Sequence, residues 1–225
     1  MSEELPQIIE TLAKRARSAS LVLASASTKQ KNEALQHIAE GLESNRKLLT
    51  IENQKDLDAA KENGLSEAMV DRLRLTHERI DGMAKGLREL IELPDPVGVL
   101  IEEKERPNGL KIRKVRVPIG VIGIIYESRP NVTIDCAGLC IKSGNASILR
   151  GGKEAIHSNT ALASIIMEAL KISELPNNSV QLVPTVDRAA LNHLLTLDQC
   201  AGREPFRPPG PGPVVQAKHK PPGPT

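Results

Sequence analysis

Aromatic side chains are almost missing from this 225-residue chain: Tyr126 and Phe206 are the only two, and there is no tryptophan. Proteins that hold single-stranded nucleic acid stack bases on aromatic platforms, so that class is disfavoured at once. Three cysteines cannot close a disulfide framework. Cys136 and Cys140 lie four apart among Ile134, Ala137, Leu139 and Ile141, which reads as small apolar residues on one buried helix face. The histidines are scattered and no CxxC occurs, so no metal site is expected. No run approaches the ~18 apolar residues of a membrane span. Residues 1–20 alternate apolar with charged positions and lack a signal-peptide core. A cytoplasmic, reducing setting without membrane or nucleic-acid partner is the expectation. The formal charge of +2 does not change it. Arg203, Arg207, Lys218 and Lys220 against Glu204 put +3 on the last 25 residues, leaving the first 200 at −1.

What is present is helical periodicity, then a change of period. Leu5, Ile8, Ile9, Leu12, Ala13 and Ala16 recur every 3.6 residues, as do Ala34, Leu35, Ile38, Ala39 and Leu42 after a polar break at Ser25–Thr28. Asn63-Gly64 signals a helix end, Thr76 a helix start, and Pro94 and Pro96 forbid continuation beyond Leu93. Residues 1–93 are therefore expected to form a helical segment.

Between 94 and 118, Leu110, Ile112, Val115 and Val117 interleave with Lys111, Arg113, Lys114 and Arg116, slipping phase midway. That pattern predicts an exposed, bulged strand or hairpin. Val121, Ile122, Ile124 and Ile125 with Gly120 and Gly123 form a continuous run, expected as a strand buried on both faces. A helix over 132–142, a strand over 146–149, a long helix over 153–171, a strand over 180–183 and a helix over 187–197 complete the pattern. Strand and helix alternating with short links predict an α/β fold with a parallel, doubly wound sheet. Such sheets bind ligands at the carboxyl ends of their strands. Residues 200–225 hold eight of the 16 prolines without apolar periodicity and are expected to form a disordered tail.

Two segments leave those strand ends. In Tyr126-Glu-Ser-Arg-Pro-Asn-Val-Thr133, Arg129 offers a fork of donors for a phosphate or carboxylate, and Asn131 an amide for a developing oxyanion. The simpler alternative makes Asn131 or Thr133 a helix cap and leaves Arg129 in solvent. In Arg150-Gly151-Gly152-Lys153-Glu154, the glycines permit close backbone approach and the following helix start favours an anion. A bound phosphate would balance Arg150 and Lys153 there; a plain strand-to-helix turn is the alternative. Neither GxxxxGK[ST] nor GxGxxG is present.

Taken together, the stretches from Val117 to Asp135 (VPIGVIGIIYESRPNVTID) and from Lys142 to Glu154 (KSGNASILRGGKE) resemble gamma-glutamyl phosphate reductase, also called glutamate-5-semialdehyde dehydrogenase. The stretches from Asn63 to Leu73 (NGLSEAMVDRL) and from Asp95 to Gly98 (DPVG) fit the same family, and the resemblance runs from about residue 8 to Gln199. The family lies in the aldehyde-dehydrogenase-like superfamily and reduces L-glutamyl 5-phosphate with NADPH in proline biosynthesis. A cysteine thiolate attacks the acyl phosphate, and hydride then reduces the thioester. By resemblance, Asn131 is the oxyanion donor and Arg150, Gly151, Gly152, Lys153 and Glu154 are the cofactor loop, while Arg129 is the substrate-phosphate candidate on its own chemistry. Lys153 and Glu154 would hold the adenosine side of NADPH. The hairpin around Leu110–Val117 would serve self-association into a homo-oligomer.

The departure from the family lies at the far end. After Gln199 the family continues into a further strand and glycine-rich loop, whereas this chain reads Cys200-Ala-Gly-Arg-Glu-Pro-Phe-Arg207. None of Cys136, Cys140 or Cys200 sits in the family's nucleophile context, so the nucleophilic cysteine is expected to be absent. Residues 119–199 are expected to be a partial NADP-binding domain beside the helical segment. The chain would then be the front half of a reductase, inactive alone, or a non-catalytic NADP-binding or subunit-interaction fragment.

Overall fold

Five helices build the N-terminal segment: α1 (Glu4–Leu23), α2 (Thr28–Ser44), α3 (Arg46–Glu62), α4 (Glu67–Leu73) and α5 (His77–Glu92). The computed structural model describes residues 4–185 together with 187, 189, 190 and 193. The expected helix over 187–197 falls largely outside these residues, and the expected disordered tail entirely so. The polar break after α1 is a capping box, in which the Ser27 hydroxyl accepts from the Gln30 N–H and the Gln30 side chain accepts from the Ser27 N–H. Thr76 caps α5 by accepting from the Arg79 N–H.

Beyond Leu93 the chain is pinned to the helices. Asp95 accepts from Lys31 Nζ and Thr28 Oγ1, both at 2.6 Å, and from the Val97 N–H at 2.9 Å. The Lys31 side chain is 1% exposed. Burial pushes the Asp95 carboxyl up, but hydrogen bonds from Lys31, Thr28 and Val97 outweigh it and hold the group below its usual range.

The hairpin follows: β1 (Leu100–Glu105) pairs antiparallel with β2 (Lys111–Val115), and every residue of both is exposed. β1 escapes a sequence reading because Glu102, Glu103, Lys104 and Glu105 have little strand propensity. Cross-strand charge supplies what propensity lacks, with Glu103 facing Arg113 and Glu105 facing Lys111. The irregularity lies between Leu100 and Glu102, on the acidic strand rather than the basic one.

A second sheet has the order β3 (Val121–Ile125), β4 (Ala146–Arg150), β5 (Val180–Leu182), all parallel. Helices α6 (Pro130–Lys142) and α7 (Ile156–Ile172) make the crossovers. The long helix expected from Lys153 is interrupted: Lys153–Ala155 form a separate 3-10 turn before α7 begins. β4 is central and buried on both faces. Ala146 and Ile148 pack with Ile9, Ala13 and Ala16 of α1. Leu149 joins the main core with Leu35, Ile38, Leu87, Ile134, Leu162 and Ile166. β3 corrects the sequence reading: Gly123 is exposed and Ile125 is 43% exposed. Among the described residues β3 is an edge strand paired only with β4, so its continuous apolar run does not mark burial on both faces. Asn145 aligns the two strands by accepting from the Gly120 N–H at 2.9 Å.

Candidate functional site

The carboxyl ends of β3 and β4 lie side by side, with Ile125 in register with Arg150 and the Tyr126 N–H donating to the Arg150 carbonyl at 3.0 Å. This pairing brings together the two segments singled out from sequence. A cleft of about 440 Å³ opens there, lined by Tyr126, Glu127, Ser128, Arg129, Arg150, Gly152, Lys153 and Glu154, with Met69 and Arg72 from α4. Tyr126 is tied to the buried residues Thr133 and Asn159 by a chain of hydrogen bonds. Thr133 Oγ1 donates to Asn159 Oδ1 at 2.9 Å, so its contact with the Tyr126 hydroxyl at 2.7 Å has tyrosine as the donor. Burial pushes the Tyr126 phenol up to about 12, even though the Thr133 hydrogen bond acts in the opposite direction. Tyr126 is therefore a neutral structural donor at ordinary pH.

The glycines also meet a packing need of the protein itself. A Cβ on Gly151 would collide with Asn159 Nδ2, and one on Gly152 with Ser128 Oγ. These residues are small so that the loop after β4 can close against protein atoms. The helix start is also occupied. Asp56 of α3 accepts from the His157 N–H at 3.1 Å, the Ser158 N–H at 2.8 Å and Ser158 Oγ at 2.6 Å. The anion at the start of α7 is thus an internal carboxylate. Lys153 is exposed to the cleft, while Glu154 accepts a hydrogen bond from Ser128 Oγ that fixes its carboxylate. Arg150 and Lys153, with a fixed Glu154 at two parallel strand ends, fit the phosphate- and hydroxyl-bearing part of a dinucleotide.

Asn131 faces elsewhere. Arg129, and neither Asn131 nor Thr133, is the cap residue of α6, because Pro130 opens the helix. Asn131 therefore sits in the first turn and lines a neighbouring cleft of about 410 Å³ with Asp71, Arg72, Arg74, Arg79, Arg129 and Asp135. Arg72 and Arg129 line both clefts. Asn131 Nδ2 donates to Asp135 Oδ2 at 3.2 Å, leaving its second amide hydrogen for another acceptor. Burial pushes the Asp135 carboxyl up, partly offset by Asn131. The two described cysteines are poor nucleophiles. Burial pushes the Cys140 thiol up to about 11, with Cys136 adding to the effect and Ser147 opposing it; burial raises Cys136 too. Sequence reasoning misses Asp56 and Arg72, since nothing in helices α3 and α4 signals which distant loop they will meet.

Parallel strands, helical crossovers and a charged cleft at the strand ends match a known class. Residues 4–202 fit the aldehyde dehydrogenase family, and the chain belongs to it. Two gamma-glutamyl phosphate reductases stand among its similar relatives. The one from Opitutus terrae is 58% identical over 198 residues, covering 88% of this chain and 47% of the relative. The one from Carboxydothermus hydrogenoformans is 54% identical over 187 residues, covering 83% and 45%. The crystal structure of the Thermotoga maritima gamma-glutamyl phosphate reductase gives a TM-score of 0.84 at 46% identity, over 86% of this chain and 47% of that one. The Saccharomyces cerevisiae enzyme gives 0.77 at 34% identity, over 81% and 48%. The chain spans about half the length of the relatives it matches.

Proposed function

We propose that this chain is the cofactor-binding part of a reductase that converts L-glutamyl 5-phosphate to glutamate 5-semialdehyde in proline biosynthesis. The observation that carries this reading is the 58% identity to a gamma-glutamyl phosphate reductase over 88% of the chain. The cofactor is a nicotinamide dinucleotide, NADPH by the same likeness, and when bound it supplies a hydride. Lys153, Arg150 and Glu154 hold its adenosine and phosphate groups at the ends of β3 and β4. Ser128 keeps the Glu154 carboxylate in one orientation, which lowers the ordering cost of binding. The free amide hydrogen of Asn131 donates to the substrate carbonyl oxygen as negative charge develops on it, and Arg129 neutralises the substrate phosphate. The hairpin β1–β2, with Leu100, Ile101, Ile112 and Val115 exposed, serves self-association.

The described residues supply binding and oxyanion groups but no activated thiol, because Cys136 and Cys140 are both held in the protonated form. Cys200 lies outside the described residues and, by sequence, outside the family's nucleophile context, so the 225-residue polypeptide by itself is read as a binder of NADPH without turnover. Calorimetric titration with NADPH, and NADPH absorbance in the presence of enzymatically generated glutamyl phosphate, test both halves of this reading. Saturable binding without oxidation is expected. Absence of binding refutes the cofactor assignment, and turnover refutes the assignment of the thiols as inert.

A further inference from the structure

Two neighbouring side chains on one face of α3, Asn53 and Asp56, reach different elements. Asp56 takes the start of α7, and Asn53 takes the end of α4. The Asn53 side chain is buried and lines neither cleft. Its Nδ2 donates to the Leu73 carbonyl at 2.8 Å, and its Oδ1 accepts from the Leu75 N–H at 2.8 Å. The second Nδ2 hydrogen goes to Ser158 Oγ at 3.0 Å, and that hydroxyl donates in turn to Asp56 Oδ2 at 2.6 Å. Each atom of this relay has one role open to it. A carbonyl only accepts and a backbone N–H only donates, which fixes the orientation of the amide. The single Ser158 hydroxyl hydrogen is used on Asp56, so the oxygen accepts from Asn53. We propose that Asn53 is a positioning residue of the cofactor cleft, which it holds at one width by bridging the two walls.

The walls are carried by α4 and by the turn before α7. Met69 and Arg72 stand on the first, Lys153 and Glu154 on the second. Arg72 directly precedes Leu73, whose carbonyl Asn53 holds, and the turn Lys153–Ala155 runs straight into the first residues of α7. What packs between the walls is a small apolar cluster: Leu57 and Ala60 from α3, Val70 and Leu73 from α4, and Ala155 from the turn. Apolar contact is non-directional and lets such surfaces slide. Hydrogen bonds have direction, so the amide and the hydroxyl fix how far apart the walls stand. Removing the amide leaves the Leu73 carbonyl and the Leu75 N–H, both on buried residues, without that partner. Water admitted to satisfy them moves α4 away from α7. This deepens the cofactor reading and rests on it only for the ligand that the cleft holds.

Tyr126 supplies a readout that needs no ligand. It lines the same cleft, it is the only tyrosine and there is no tryptophan, so tyrosine emission reports the cleft alone. The test compares the wild-type 225-residue chain with Asn53→Asp, Asn53→Ala, Ser158→Ala and the Asn53→Ala/Ser158→Ala pair, far-UV circular dichroism confirming the fold of each. Asn53→Asp keeps the shape but turns an acceptor toward the Leu73 carbonyl. Ser158→Ala cuts the bridge and leaves Asn53 its two backbone partners. Ser27→Ala, which removes the cap of α2 and touches neither cleft, is the control for lost stability alone. Acrylamide quenching of Tyr126 should rise in every Asn53 and Ser158 variant and stay at the wild-type value in Ser27→Ala. Calorimetry should show NADPH binding weakened about three- to tenfold in the same variants, the range of one ordinary hydrogen bond, and unchanged in Ser27→Ala. The pair should bind little worse than Asn53→Ala, because both changes cut one bridge. Wild-type quenching in both Asn53→Ala and Ser158→Ala overturns the proposal, as does NADPH affinity unchanged in both, an equal loss in Ser27→Ala, or full additivity in the pair. If the Asn53 variants do not fold, Ser158→Ala decides by the same two readouts. If the wild-type chain binds no NADPH, the cofactor reading falls, and Tyr126 quenching alone decides whether Asn53 sets the cleft.

Discussion

Replacing Asp56 should destabilise the chain far more than its position in the middle of α3 suggests. Its carboxylate takes three hydrogen bonds from the first residues of α7, and it is 2% exposed. Of the three donors, Ser158 N–H and Oγ–H belong to a residue that is fully buried. His157 is exposed, and its N–H can turn to water. In Asp56→Ala two buried donors lose their acceptor, at about 1–3 kcal/mol each, and α7 loses the anion at its positive end. We expect a loss of about 3–4 kcal/mol from these two effects together. Asp56→Asn keeps one acceptor oxygen and the shape, and should lose about 1–2 kcal/mol, the range of an ordinary cap. Glu52→Ala is the control, since Glu52 meets His157 only at 3.8 Å across a half-exposed contact, an interaction worth well under about 1 kcal/mol. Urea unfolding followed by far-UV circular dichroism reads the differences as shifts in midpoint at constant slope. For a chain of this size, each kcal/mol moves Tm by about 2–4 °C, so Asp56→Ala should melt about 6–16 °C early. If Asp56→Ala loses no more than Glu52→Ala does, the carboxylate is not what caps α7, and the start of that helix is open to a ligand anion after all.

The Asp95 carboxyl has a folded pKa below its unfolded value of about 3.9, so it stabilises above that pH and its contribution is lost as pH falls through the folded value. Acid unfolding of Asp95→Asn should therefore show a shallower loss below pH ~4 than wild type; parallel curves would contradict the assignment. Cys140, raised to about 11, should resist iodoacetamide at about pH 7.5 in the folded chain and react readily in urea, as mass spectrometry would show. Fast native alkylation would mean an exposed or activated thiol. Lys153→Ala should weaken NADPH binding about tenfold or more by calorimetry, and equal affinity would remove Lys153 from the cofactor site. In a full-length reductase carrying this segment, Asn131→Ala should lower kcat by about 10²–10³ with little change in KM, whereas an effect confined to KM would make Asn131 a binding residue.

Much of the fold was legible because it is local. The 3.6-residue period located α1 and α2; the polar break at Ser25–Thr28, the start signal at Thr76 and the stop at Pro94 marked boundaries by chemistry that acts within a few residues. A strand joined to the next through a single helix returns in the same direction, so the alternation of elements implied a parallel sheet. The strand-end loops identified themselves by charge and glycine. Whether an apolar strand is central or at an edge depends on which neighbours the topology supplies, so β3 and β4 look alike in sequence and differ in burial. β1 is a strand only because a basic partner lies across from its glutamates. The roles of Gly151 and Gly152, the capture of the α7 start by Asp56, and the meeting of Arg72 and Arg74 with Arg129 all join residues far apart in the chain. Local propensity carries no information about such contacts, because their energy exists only once the helices have packed. The amino-acid order by itself determined the helices, the parallel α/β pattern and the two loops that carry chemistry. Tertiary structure alone decided that these loops open onto two clefts sharing a wall, with one helix start closed by an internal acid and a group of arginines gathered around a single cavity.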